Sequence, residues 1–232
     1  ARYTQVDGKV ILPGASQDEM EADRPLDMLF LLDCMEKLSG GADSRFTGRI
    51  DTNNCALTGM SFGGWATAVA MEKRDPRVKA AIMQCSSVGS QLAEKRKEVD
   101  IPVMVMLCTE DRVLGEDRNE ANRRFVETHK GPAYMLEIKR GGHVSFTSGD
   151  LYNSEYGNGI GTSCPCLTKP GENYAPLAIE KQHEIINSYG LAFLNAHLRT
   201  GQTSVASSNK YNREYLLENH YADEIIVKSK NS

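Results

Sequence analysis

Apolar residues along this chain gather in short unbroken runs, and between the runs they recur at intervals of three and four among charged residues. The runs at Cys55-Ala56-Leu57, Val78 to Cys85, Ile101 to Cys108 and Ala133 to Ile138 have strand length. Their lack of polar alternation is the pattern of parallel strands buried on both faces. Helical spacing appears in Leu26, Leu29, Phe30, Met35 and Leu38, which predict an amphipathic helix with one buried face, capped by Asp23, with Pro25 in its first turn and Gly40-Gly41 at its end. Further helices are predicted over 66–71, over 116–129 with Ala121, Phe125 and Val126 inward, and from about 175 to 199 through Ile179, Ile185, Ile186, Tyr189, Phe193, Leu194 and Leu198. Strands and helices alternating at this length specify an α/β fold with a doubly wound, mostly parallel sheet.

The remaining segments are less regular. Lys9-Val10-Ile11-Leu12 predicts a short strand stopped by Pro13-Gly14, and 86–100 is polar and helical in its second half. Residues 144–175 form a long loop rich in Gly, Ser and Tyr, expected to roof a site, since loops of that length in a compact domain are usually functional. The expected domain runs over 1–201, with 202–232 a peripheral tail.

Composition narrows the function classes. With 232 residues, 40% hydrophobic and 25% charged, the chain builds one sizeable core, and a net charge of -4 argues against a nucleic-acid or anionic-membrane partner. The one basic cluster, Lys95-Arg96-Lys97, is flanked by acids and reads as a solvated helix face. No apolar run reaches membrane-spanning length and no signal peptide is visible, but the chain opens on Ala1 in place of Met, so its true start, and with it any targeting signal, is expected to lie outside this sequence. Cys34, Cys55, Cys85 and Cys108 sit among apolar residues and read as core thiols. Cys164-Pro165-Cys166 lies in a polar loop, so at least one of the two is a disulfide candidate, which would favour a secreted or other oxidising setting. No cysteine spacing forms a metal pattern.

The candidate chemistry starts at Gly59-Met60-Ser61-Phe62-Gly63, between an apolar strand and the small-residue helix from Ala66 to Met71. By itself the pentapeptide is a weak signal, because a glycine-rich turn that packs a helix closely on a strand reads the same way. In its strand-turn-helix context it reads as a nucleophile elbow, with Gly59 and Gly63 leaving room around the serine. The N–H of Phe62 then points toward an oxyanion, and the helix N-terminus favours negative charge there. A serine hydroxyl needs a base, and that base needs a carboxylate to hold its tautomer. Asp111 follows the third strand and His143 the fourth, so Ser61, Asp111 and His143 all fall at carboxyl ends of strands, where such sheets bind ligands. Glu110 and Asp117 are rivals for the acid. His129, His183, His197 and His220 fall in predicted helices or the tail and read as packing or surface residues.

Four segments together resemble the α/β-hydrolase fold, and within it the dienelactone hydrolase and platelet-activating-factor acetylhydrolase branch. They are Leu57 to Gly64, Asp75-Pro76-Arg77-Val78-Lys79-Ala80-Ala81, Ile101-Pro102-Val103 through Asp111, and Gly142-His143-Val144-Ser145-Phe146-Thr147. The resemblance spans about 23–200. It implies a Ser61 nucleophile, a His143 base, an orienting Asp111 and a serine hydrolase of carboxylic esters that needs no metal or cofactor. A serine peptidase or amidase of related fold, and a non-catalytic binding or structural protein, are the competing readings.

One departure stands out. The family places further strands and a loop with a second oxyanion donor ahead of the elbow, whereas the residues before Ser61 offer one good helix and no such loop. The expectation is therefore that the chain lacks its N-terminal strands and pairs with a companion chain from the same precursor.

Overall fold

The structure, a computed structural model, describes residues 4–6, 9–11, 15–88, 98–148, 159–199 and 210–230. The Lys95-Arg96-Lys97 cluster, most of the helix expected before Asp100, residues 149–158 of the long loop and 202–209 of the tail lie outside the described residues. The chain divides into two units, 1–52 and 53–232.

In the first unit, β1 (Thr4–Val6) and β2 (Lys9–Ile11) form an antiparallel pair. Helix α1 (Gln17–Lys37) begins six residues earlier than Asp23. Ser16 caps it through a reciprocal box: its Oγ accepts the Glu19 N–H at 3.2 Å, and its own N–H donates to the Glu19 carboxylate at 2.7 Å. Pro25 consequently sits inside the helix and is its buried residue. The expected buried face is not there: Leu26, Phe30, Leu31 and Met35 are exposed.

The second unit is a central sheet of β3 (Cys55–Met60), β4 (Val78–Gln84), β5 (Val103–Cys108), β6 (Ala133–Ile138) and a last strand from the tail, in that order. The first four run parallel. Helices α2 (Phe62–Met71), α3 (Glu116–Thr128) and α4 (Ile179–Leu198) flank it, and short strands β7 (Cys164–Pro165) and β8 (Asn173–Tyr174) make a hairpin in the long loop. The tail is not peripheral: α5 (Arg213–Leu217) buries Tyr215 and Leu216, and β9 (Ile225–Lys230) pairs antiparallel with β6, Leu136 opposite Val227. Among the described strands, β3 has β4 on one side and none on the other.

Alternate side chains of each strand reach opposite faces, and each face has its own layer. Ala80, Ile82, Met104, Met106, Tyr134 and Leu136 pack with α4 and α5. Ala81, Met83, Val105, Leu107 and Met135 pack with Ala68 and Met71 of α2 and Phe125 and Val126 of α3. This double covering is why the runs read as apolar throughout. Glu137, buried in β6, is neutralised by Arg123 of α3 at 2.5 Å.

His197 closes the first layer, with its ring 4.9 Å from that of Phe193 and its Nε2 3.2 Å from the Tyr134 hydroxyl. Burial pushes its pKa down to about 4, and burial lowers that of His129 as well. A depressed folded value means that stability present above about 6.5 is lost as pH falls toward 4, because the unfolded chain takes up the proton first. Thermal melts should therefore show a falling Tm across that window, with a shallower fall in His197→Gln. Equal slopes in both proteins would assign the loss to other groups.

Candidate active site

β3 ends at Met60 and α2 starts at Phe62, which leaves Ser61 between them at φ 56° and ψ −122°. That backbone is costly for an L-residue and persists only when its surroundings hold it. Here the Ser61 N–H donates to Gln84 O of β4 at 2.8 Å, while the Gly64 and Trp65 N–H groups donate to the Ser61 carbonyl at 3.0 and 3.1 Å. A Cβ on Gly59 would overlap the Gly63 carbonyl, and one on Gly64 would come within 2.6 Å of the Ser86 side chain. A Cβ on Gly63 would meet open space. The steric demand thus falls on Gly59 and Gly64, whereas the motif suggests Gly59 and Gly63. Gly63 takes part through its carbonyl, which lies against Gly59.

Asp111 follows β5 by three residues and is fully buried. Its Oδ1 accepts the Val113 and Leu114 N–H groups, each at 2.9 Å, and its Oδ2 accepts from His143 Nδ1 at 2.9 Å. Burial works against the charge, but the hydrogen bonds from His143 and the Leu114 N–H outweigh it and hold the carboxyl below its ordinary value. His143 opens a short 3-10 turn (His143–Phe146) after β6, and its Nε2 lies 2.9 Å from Ser61 Oγ. A carboxylate only accepts, so Nδ1 carries the proton and Nε2 is left to accept from the serine hydroxyl. Ser61, His143 and Asp111 therefore form one continuous hydrogen-bonded chain across three strand ends. Phe62 is the first residue of α2, where N–H groups have no acceptor within the helix, and its ring stacks on Trp65 with centroids 5.1 Å apart.

The rival acids are engaged or distant. Glu110 points away from His143 and accepts from the Leu167 N–H, with Cys166 Sγ and Thr168 Oγ1 at 3.5 and 3.4 Å. Asp117 is exposed in the first turn of α3. The other histidines have structural partners: His129 Nε2 lies 2.9 Å from Ile101 O, His183 Nε2 lies 3.1 Å from Thr147 O, and His220 stacks on Tyr215.

The cysteine expectations need correction. No two of the six are joined in a disulfide, and Cys164 and Cys166 are buried. Cys164 Sγ donates to Ile160 O at 3.3 Å and Cys166 Sγ to Glu110, so both pack inside the hairpin and the loop's polar composition misled. The argument for an oxidising compartment loses its basis. Cys34 and Cys55 are half-buried, and only Cys85 and Cys108 of the first four are fully inside. Among the described residues, one set of three potential metal ligands comes together, Cys85, Cys108 and Asp111, with ligand atoms within 4.8 Å of one another. Its carboxylate is already held by His143.

Two supporting residues escaped the sequence reading. Asn122 of α3 accepts the Val88 N–H at 3.0 Å and donates to Ser86 O at 2.7 Å, and Asn119 donates to Cys108 O at 3.0 Å. They pin the ends of β4 and β5 beside the site, and their signal was two amides spaced i, i+3 on the helix's inward face.

A PET hydrolase-like family model matches residues 14–159. No curated protein matches. Among solved structures, a ferulic acid esterase from Streptomyces cinnamoneus superposes with a TM-score of 0.60 at 21% identity, over 83% of this chain and 54% of that one. The chain thus spans about half the length of that neighbour, which shares its fold. No described helix is long and apolar enough to cross a membrane. With more than half its length matched, the chain belongs to the PET hydrolase-like family of the α/β-hydrolase superfamily.

Proposed function

We propose that the protein hydrolyses carboxylic esters through an acyl-enzyme on Ser61. The observation that carries this reading is the unbroken hydrogen-bonded chain from Ser61 Oγ through His143 to a buried, charged Asp111. Ser61 Oγ attacks the ester carbonyl as its proton passes to His143 Nε2, and Asp111 stabilises the imidazolium. The Phe62 N–H, aided by the N-terminus of α2, takes the developing oxyanion. His143 returns the proton to the departing alcohol, then draws one from water to release the acid. The matched family and the fold neighbour are both named for esters of aromatic acids, and the stacked, half-buried Phe62 and Trp65 rings beside the serine suit an aromatic acyl group. Aromatic carboxylic esters are therefore the first substrates to try.

The proposal extends to a companion polypeptide with further strands, supported by β3 standing at the edge of the sheet among the described strands, since natural sheets cover such edges. Intact mass of the purified protein with and without a fluorophosphonate tests both parts. One adduct that disappears in Ser61→Ala, with a second polypeptide co-purifying, is the expected result. Absence of an adduct overturns the esterase reading in favour of a binding role, and faster cleavage of an anilide than of the matched ester would favour an amidase.

A further inference from the structure

Directly beneath the proposed acid lie two thiols that the chemistry above leaves unused. Cys108 ends β5 three residues before Asp111, and Cys85 follows β4, its neighbour in the sheet. Both are fully buried, and their Sγ atoms are 3.2 Å apart. That is well inside the separation of two sulfurs in ordinary packing contact. Cys85 holds φ 41°, a left-handed backbone that a β-carbon makes costly, and its N–H is tied to Met106 O at 2.8 Å, so the strand end is fixed in the conformation that brings the sulfurs together. Cys108 Sγ also lies 3.9 Å from Asp111 Oδ2, the same oxygen that accepts the hydrogen bond from His143 Nδ1–H.

We propose that Cys85 and Cys108 are a redox-sensitive pair that closes to a disulfide on exposure to a small peroxide, and that closure alters the basicity of the Asp111–His143 pair. One thiolate attacks a peroxide oxygen and breaks the O–O bond, giving a sulfenic acid and hydroxide, which takes up a proton to become water. The second thiol then displaces a second water from the sulfenic sulfur, so two thiols and one hydrogen peroxide become one disulfide and two waters. Adjacent parallel strands and a non-bonded S–S approach this short leave little backbone movement to make. Burial raises the pKa of both thiols and keeps the attacking thiolate scarce, so closure is slow at neutral pH and accelerates as pH rises.

The effect on the site follows from the lost S–H. Relieved of a donor, Asp111 Oδ2 holds the imidazolium more strongly. The acid limb of kcat/KM should move up by about half a pH unit on oxidation and return on reduction. This second part rests on the esterase reading, whereas the cross-link does not.

The test treats the purified protein with graded hydrogen peroxide, alkylates it under denaturing conditions and maps the peptides by mass, with and without dithiothreitol. The expected product is a reducible cross-link between the Cys85 and Cys108 peptides, with the other four cysteines still alkylated. Cys85→Ser and, separately, Cys108→Ala should abolish it. Failure to form it in folded wild-type protein, at peroxide levels that oxidise exposed methionine, overturns the pair. A cross-linked enzyme that labels with fluorophosphonate and keeps its pH profile overturns the coupling to Asp111. A protein that cross-links but takes no fluorophosphonate refutes the esterase reading and leaves the thiol pair standing.

Discussion

Ser61→Ala should lower kcat/KM on any accepted ester by about 10⁴-fold or more, without unfolding the protein. The loss is large because the hydroxyl oxygen is the proposed nucleophile, and it is clean because alanine removes only a hydroxyl. The strained φ of 56° is set by the backbone bonds to Gln84 and from Gly64 and Trp65, all of which alanine keeps. Residues that act as one unit are not additive, so His143→Ala and the Ser61→Ala/His143→Ala double variant should fall to the same floor as the serine variant alone. Asp111→Asn should cost roughly 10³- to 10⁴-fold, because an amide offers His143 a donor as readily as an acceptor and loses the tautomer's control. Steady-state kinetics with active-site titration decides the matter. A double variant much worse than either single would mean that serine and histidine do not act on the same proton.

Gly59→Ala should destabilise the protein by at least about 3 kcal/mol, since its β-carbon would overlap a carbonyl of the following helix and neither segment can retreat. Gly63→Ala has open space before it and lies within α2, where alanine is the better helix former, so its stability should stay within about 1 kcal/mol of wild type. Urea titrations of the two variants provide the comparison. The order is informative because the pentapeptide alone treats the two glycines as equals. If Gly63→Ala proved the worse, the close packing of α2 on β3 described here would be wrong.

The sheet was readable because strands covered on both faces carry unbroken apolar runs, and the runs at Val78, Ile101 and Ala133 matched β4, β5 and β6 to within about two residues. Ser61, Asp111 and His143 were readable for the same reason: each follows such a run, and strand ends of a parallel sheet converge on one edge. What misled were positions whose meaning depends on a distant partner. Cys166 sits in polar sequence yet is buried, because Glu110 reaches it from 56 residues away, and Cys164 is buried beside it against Ile160 four residues back. The apolar groups Tyr215-Leu216-Leu217 and Ile225-Ile226-Val227 were visible, but nothing local says that the second pairs with β6 from 87 residues or more away. In α1 the apolar spacing predicts a buried face that the structure exposes, and the Ser16 capping box, a purely local signal, sets the start of the helix ahead of Asp23.

Glu110 and Arg112, on either side of Asp111, both reach into the β7–β8 hairpin: the carboxylate takes the Leu167 N–H, and the guanidinium donates to Pro165 O at 3.2 Å and Cys166 O at 2.9 Å. For anyone reshaping what the protein accepts, this hairpin is thus part of the support of the proposed acid. Residues 164–168 are bolted to the turn that carries the proposed acid, so under the esterase reading grafts or deletions there should cost turnover. Sequence diversity meant to change only the choice of substrate is best kept off that hairpin.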